Sequence, residues 1–279
     1  MLNNKLLNTL ILAAMSAPVL AADAPAAPYT LTGNVGFISD YTFRGISQNY
    51  RTPSVQGGFD YVHENGVYLG TWASNISGNQ YSNASMEWDM YGGYNGKVSD
   101  DFTYNVGLVS VFYPGGKTNV TVGESTKKWD TTEVQFGGTF KGVNIAYHYA
   151  LTDWFGISSY TTGVGGGFEP TMWATGATTA DKANASSKGS GYLEANYTYT
   201  FAGDVALALH AGHQKLKNFS LLSYTDYKIG LSKPVGGFTL GVAYTSTNAT
   251  DNNLYHVKAN GEDKKLGGGI LALSVSRSL

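Results

Sequence analysis

The chain has 279 residues, of which 42% are apolar, 13% aromatic and only 14% charged, with 36 glycines and no cysteine. Without cysteine there is neither a disulfide-stapled domain nor a cysteine-ligated zinc site, and so many aromatics with so few charges exclude a disordered tail. The net charge of −2 leaves no basic footprint for a phosphate backbone, so no nucleic-acid partner is expected.

Residues 1–21 carry Lys5 near the start, an apolar stretch over 6–19, and small residues at Val19 and Ala21. This is the pattern of a signal peptide cut after Ala21, and the stretch is shorter than the roughly 20 residues that span a bilayer as a helix. Residues 22–29 read as a flexible leader and 30–279 as one domain. No later run is long and apolar enough for a spanning helix.

From Leu31 onward, apolar and polar residues alternate with period two, as in strands whose faces meet different surroundings. Leu31, Val35, Phe37, Tyr41 and Phe43 oppose Thr32, Asn34, Asp40 and Arg44. Val55, Phe59 and Tyr61 oppose Gln56 and Asp60. The segment 67–74 is ambiguous, because Tyr68 and Trp72 oppose Val67 and Leu69. Met86, Trp88, Met90 and Tyr94 oppose Glu87 and Asp89, and Phe102 to Leu108 follow the same rule. Val134, Phe136 and Phe140 oppose Glu133 and Gln135; Val143, Ile145 and Tyr147 oppose His148; Leu193, Tyr197 and Tyr199 oppose Glu194; Leu207 and Leu209 oppose His210. Tyr227, Ile229 and Leu231 oppose Asp226 and Lys228. Phe238 to Tyr244 and Leu271 to Val275 complete twelve segments.

The connections alternate in length. Those at 45–53, 75–85, 114–131, 152–190, 214–223 and 246–265 are long and polar, whereas 63–66, 95–101, 141–142, 202–204 and 233–237 are short and mostly contain glycine. The predicted fold is therefore all-β: a closed antiparallel transmembrane β-barrel of about 12 strands, with short periplasmic turns and long extracellular loops. Closure removes the edges that an open sheet would expose. Aromatics near the turns (Tyr61, Tyr94, Phe102, Phe140, Tyr199, Phe201, Phe238) and near the loops (Tyr41, Phe43, Phe112, Tyr244) predict two interfacial girdles. The expected location is the outer membrane of a Gram-negative bacterium, with insertion by the barrel-assembly machinery.

The run Gly33-Asn34-Val35-Gly36-Phe37-Ile38-Ser39-Asp40-Tyr41-Thr42-Phe43-Arg44-Gly45-Ile46-Ser47-Gln48, with Pro53 and the stretch from Gln56 to Tyr61, resembles the opening of the TorF-like porin family of proteobacteria. The segments from Gly70 to Asn75 and from Glu87 to Tyr94, and Tyr113-Pro114-Gly115, are also similar to it. The resemblance implies an outer-membrane barrel passing small solutes, and it supplies no catalytic residue.

Motifs for chemistry are fragmentary. Gly115-Gly116-Lys117-Thr118 imitates the end of a phosphate-binding loop but has Val111 where that loop needs its first glycine. Gly163-Val164-Gly165-Gly166-Gly167 lacks a strand–turn–helix setting. His63, His148, His210, His213 and His256 form no HExxH pair, so no metal or cofactor is expected. A barrel phospholipase would need a His-x-Ser pair, and none of these histidines has a serine two residues on; nor is there a G-x-S-x-G elbow. The chain is not expected to be an enzyme.

Pore-lining candidates from the register are Asp40, Arg44, Asp60, Glu87, Asp89, Glu133, His148, Glu194, His210, Asp226 and Lys228. Acids outnumber fixed bases among them, which favours cations inside a low-dielectric wall. Two readings stand: a narrow channel for small polar solutes or ions, weakly cation-preferring, and a lumen bridged shut by ion pairs in a surface receptor, adhesin or structural barrel. Trp154, Phe155, Phe168 and Trp173 mark the long 152–190 connection as a candidate constriction loop. Lysines of the long connections, among them Lys117, Lys127 and Lys128, face outer-membrane lipid and lipopolysaccharide on this reading.

Overall fold

The computed structural model describes residues 27–117, 127–158, 181, 185–249, 255–259 and 261–279; the expected signal peptide and most of the leader lie outside them. Twelve strands close into one antiparallel barrel: β1 (Tyr29–Ile38), β4 (Ser54–His63), β5 (Val67–Asn75), β6 (Met86–Lys97), β7 (Phe102–Phe112), β8 (Thr131–Phe140), β9 (Val143–Ala150), β10 (Gly191–Thr200), β11 (Ala206–Lys215), β12 (Tyr224–Val235), β13 (Phe238–Thr247) and β16 (Ile270–Ser278). Two hairpins lie in the long connections, β2 (Thr42–Phe43) with β3 (Ile46–Ser47) and β14 (His256–Ala259) with β15 (Glu262–Lys265). β1 pairs with both β4 and β16, with Asn34 opposite Gly58 and Ser278, so no edge is left.

The short connections are tight because their residues allow it. Lys141-Gly142 and Gly236-Gly237 each join two strands, with Phe140 paired to Val143 and Val235 to Phe238. All four residues have positive φ, the mirror-image turn whose twist matches a hairpin. These turns and both ends of the described chain share one end of the barrel, the turn end; the long connections share the other, the loop end.

Along each strand the expected parity holds. Leu31, Phe59, Leu69, Leu108, Ile145 and Leu273 face outward and are each more than half exposed. Strands of 8 to 12 residues bracket the length that crosses a hydrocarbon core at a tilt. The ambiguous segment 67–74, which lies in β5, resolves with Tyr68 and Trp72 inward and Leu69 outward, since Asp60 pairs with Gly70 and Trp72 with Asp89. Abundant glycine lets large inward rings lie flat on the wall: a side chain at Gly107 would strike the Tyr68 hydroxyl, and one at Gly212 the Tyr192 ring.

The interior differs between the two ends. Toward the turn end, inward residues such as Thr30, Thr198 and Thr200 are exposed, as is Lys228 in the middle of β12, although Asn105 and Thr139 are buried there; toward the loop end Gln56, Ser74, Glu87, Asp89, Glu133 and Gln214 are buried. Above these lies an apolar core contributed by the long connections, including Tyr41, Ile46, Trp129, Phe155, Phe219 and Leu266.

One expectation is corrected. The first strand ends at Ile38, because the Ser39 N–H donates to the Leu273 carbonyl and the Leu273 N–H to the Ser39 hydroxyl. The chain then turns inward. Tyr41 and Phe43 are therefore not part of a loop-end girdle: Tyr41 is fully buried and Phe43 packs against the mouth core. Phe112 and Tyr244 keep outward positions, and Tyr94, Phe140, Tyr199, Phe201 and Phe238 are exposed near the turn end.

Candidate functional site

The site begins with the β2–β3 hairpin, which hangs inside the barrel instead of extending β1. Phe43 pairs with Ile46, leaving Arg44 and Gly45 as a two-residue turn with φ of 45° and 80°. Arg44 is thus not on the wall of β1; it reaches across the lumen from the turn. Its Nη1 donates to Glu133 Oε1 at 3.0 Å and Gln214 Oε1 at 2.8 Å, and its Nη2 to Glu133 Oε2 at 2.5 Å. The guanidinium lies 4.1 Å from the Tyr192 ring centre and 4.8 Å from that of Phe43. Both charged side chains are nearly dry, 7% and 5% exposed. A two-pronged pair of this kind is strong because the two guanidinium nitrogens meet both carboxylate oxygens.

Gly45 holds this arrangement in place. A Cβ there would approach the Asp226 Cβ to 2.7 Å, on a backbone that L side chains rarely adopt. Gly45→Ala is expected to cost about 1–3 kcal/mol, read as a lowered urea midpoint in tryptophan fluorescence. An unchanged midpoint would mean that the hairpin is not seated in the lumen.

Around Arg44 the wall continues as a chain of ionisable groups, one from each successive strand. His148 on β9 lies 3.7 Å from Glu133 on β8 and 3.0 Å from Glu194 on β10. His210 on β11 lies 3.5 Å from Glu194 and 2.8 Å from Asp226 on β12. Tyr192 ties the end, its hydroxyl 2.9 Å from His210 Nε2 and donating to Asp226 Oδ1 at 3.0 Å. Six predicted lumen residues thus meet in one network. Lys228 is the next inward residue on β12 and lies in the wet half.

The opposite wall is different. Glu87 accepts hydrogen bonds from Tyr41 at 2.6 Å and Tyr113 at 2.7 Å, and Asp60 accepts one from Tyr91 at 2.6 Å. Asp89 lies beside Glu87 and is buried. Among the described residues no Lys, Arg or His lies within 4.0 Å of the carboxylates of Asp60, Glu87 or Asp89. Asp40 stands in the loop ahead of the hairpin, hydrogen-bonded by Ser47 at 2.6 Å and 3.7 Å from Arg51. Burial pushes its carboxyl above the ordinary range, against the pull of Ser47 and Arg51.

Of the residues expected to form a constriction loop, Trp154 and Phe155 are buried in the mouth. Phe155 makes edge contacts with Phe43 at 5.7 Å and Tyr113 at 6.0 Å, so it clasps the hairpin that carries Arg44. Phe168 and Trp173 lie outside the described residues. Sequence reasoning missed Tyr113, Tyr192 and Gln214. Tyr192 and Gln214 share the inward parity of Glu194 and His210, and that parity was the available signal.

A model of the family described as "Bacterial protein of unknown function (Gcw_chp)" matches residues 22–278. No curated protein matches the chain. Among solved structures, the one described as "KdgM porin" is 10% identical, covering 90% of this chain and 99% of its own, with a TM-score of 0.48. A NanC porin structure is 11% identical over 88% and 98%, with a TM-score of 0.47. Outer membrane phospholipase A from Escherichia coli is 13% identical over 88% and 91%, with a TM-score of 0.38.

Proposed function

This chain belongs to the Gcw_chp family of bacterial proteins, and on that premise we propose that it is a barrel of the bacterial outer membrane. It passes small polar solutes or ions, with a weak preference for cations, and is not an enzyme. The observation that carries this reading is the reversal of ordinary burial: apolar residues cover the outside of a closed barrel, while threonine, asparagine, lysine and carboxylates line its interior. A soluble protein rarely exposes so continuous an apolar surface, and a closed sheet is the form in which strands cross a bilayer. The TorF-like resemblance of the opening segment belongs to the same proposal.

The route narrows where the Arg44 hairpin crosses the lumen. On one side Arg44 and the histidines are matched by acids; on the other, Asp60 and Glu87 accept from tyrosine hydroxyls, one carboxylate oxygen of Asp89 is buried without a hydrogen bond, and none of the three has a cationic partner among the described residues. Asp60, the least buried of the three, is the uncompensated carboxylate whose field favours cations there. In planar bilayers with a salt gradient, the reversal potential is expected to have the sign of cation selectivity and to shrink in Asp60→Asn. An anion-selective potential would reject the preference.

A second reading is favoured by the apolar core over the mouth, in which the long connections pack on one another. A barrel sealed in this way would serve as a surface receptor, adhesin or structural element. Heat-modifiable, folded protein that is electrically silent at all voltages would support it over the channel.

A further inference from the structure

On the outer wall at the loop end, where the apolar belt meets the long connections, lies a groove of about 270 Å³. Its floor is the turn at 113–116, closed by a Gly116 N–H to Tyr113 carbonyl bond of 2.8 Å; the two glycines leave the turn without side chains there. One side is apolar. Trp88 and Met90 of β6 and Phe112 of β7 all face outward, and Trp88 is fixed by a 2.7 Å bond from its indole N–H to the Thr71 hydroxyl and lies 6.1 Å from the Phe112 ring.

The other side is cationic. Lys117 and Lys128 face each other in an isolated antiparallel bridge. Directly opposed residues of such a bridge project to the same side of the ribbon, and like charges placed so repel each other. Lys128 is 73% exposed at its side chain. Among the described residues of the groove the single acid, Asp130, is already engaged: its Oδ1 accepts the Tyr113 N–H at 3.0 Å and its Oδ2 lies 3.8 Å from Lys128 Nζ. Two paired amines beside an apolar trough, at the level of a membrane interface, form the complement of an amphiphile with a phosphorylated headgroup and acyl chains.

We propose that this groove is a binding site for the phosphorylated, acylated glycolipid of the outer leaflet, with phosphate on Lys117 and Lys128 and an acyl chain along Trp88, Met90 and Phe112. The commitment to that lipid rests on the outer-membrane reading above, which turns the loop end toward the outer leaflet. A phosphate between the two lysines converts their repulsion into a shared contact.

The test is native mass spectrometry of the detergent-purified barrel titrated with bisphosphorylated lipid A, dephosphorylated lipid A and phosphatidylglycerol. Wild-type protein is expected to retain bisphosphorylated lipid A in preference to the other two, and the double variant Lys117→Ser/Lys128→Ser to bind it about tenfold more weakly or worse, with heat-modifiable mobility unchanged in both. Equal retention of all three lipids, or equal binding by the double variant, overturns the site while leaving the barrel reading intact. A chain that is soluble without detergent and shows no heat-modifiable mobility overturns the membrane reading and the site with it.

Discussion

Replacing Arg44 with methionine is expected to cost about 3–5 kcal/mol of stability, because Glu133 is left charged and dry with its two-pronged partner gone. His148 stands 3.7 Å from Glu133 and is itself engaged by Glu194 at 3.0 Å, so it does not replace a guanidinium. The double variant Arg44→Met/Glu133→Gln removes the charge together with its partner and is expected to recover most of the loss. Arg44→Lys recovers little, since a single ammonium reproduces neither the fork nor the stacking on Tyr192 and Phe43. Urea unfolding followed by tryptophan fluorescence gives the stabilities. The same variants read the route: if the hairpin forms the constriction, Arg44→Met raises single-channel conductance even where the barrel is destabilised. If Arg44→Met and the double variant are equally unstable, the Arg44–Glu133 pair does not hold the hairpin in the lumen.

The second large effect concerns the outside. Ile229 lies in the middle of β12, faces outward between Leu209 and Tyr244, and is about half exposed. Ile229→Arg is expected to cost about 2–4 kcal/mol in a bilayer, the penalty for a guanidinium at the depth of the acyl chains. Ser232→Arg, three residues along the same strand, puts the same group into the wet half of the lumen and is expected to cost less than about 1 kcal/mol. Parity is the difference that matters between the two sites, so the contrast isolates what each face touches. Equal, small costs would mean that the outer wall is wet.

The barrel was legible in the sequence because every strand reports two environments in alternation and because the connections sort by length. These signals repeat twelve times, so one ambiguous segment, 67–74, did not obscure the whole. The inward acids and histidines followed from the same parity, which explains why Glu133, His148, Glu194, His210 and Asp226 appear together in the structure. The β2–β3 hairpin was not legible, because Tyr41-Thr42-Phe43-Arg44 continues the alternation of β1 and no glycine or proline lies between Ile38 and Gly45. What turns the chain inward is long-range: the Ser39 bonds to Leu273, the Tyr41 hydroxyl on Glu87, and the need to fill the mouth with Tyr41 and Phe43. Nor does parity say which half of a lumen is wet. That depends on how far the long connections fold in, and their packing on one another leaves no periodic trace.

In the proposed membrane barrel, outward residues touch hydrocarbon and inward ones touch water. The chain has no cysteine, so single cysteines can be introduced along β12 from Tyr227 to Ser232, spin-labelled, and tested in bilayers for collision with oxygen and with a water-soluble nickel complex. Oxygen is expected to be favoured at Tyr227, Ile229 and Leu231 and nickel at Lys228, Gly230 and Ser232, in opposite phase and with period two. Nickel access at all six positions, with no alternation, would contradict this arrangement.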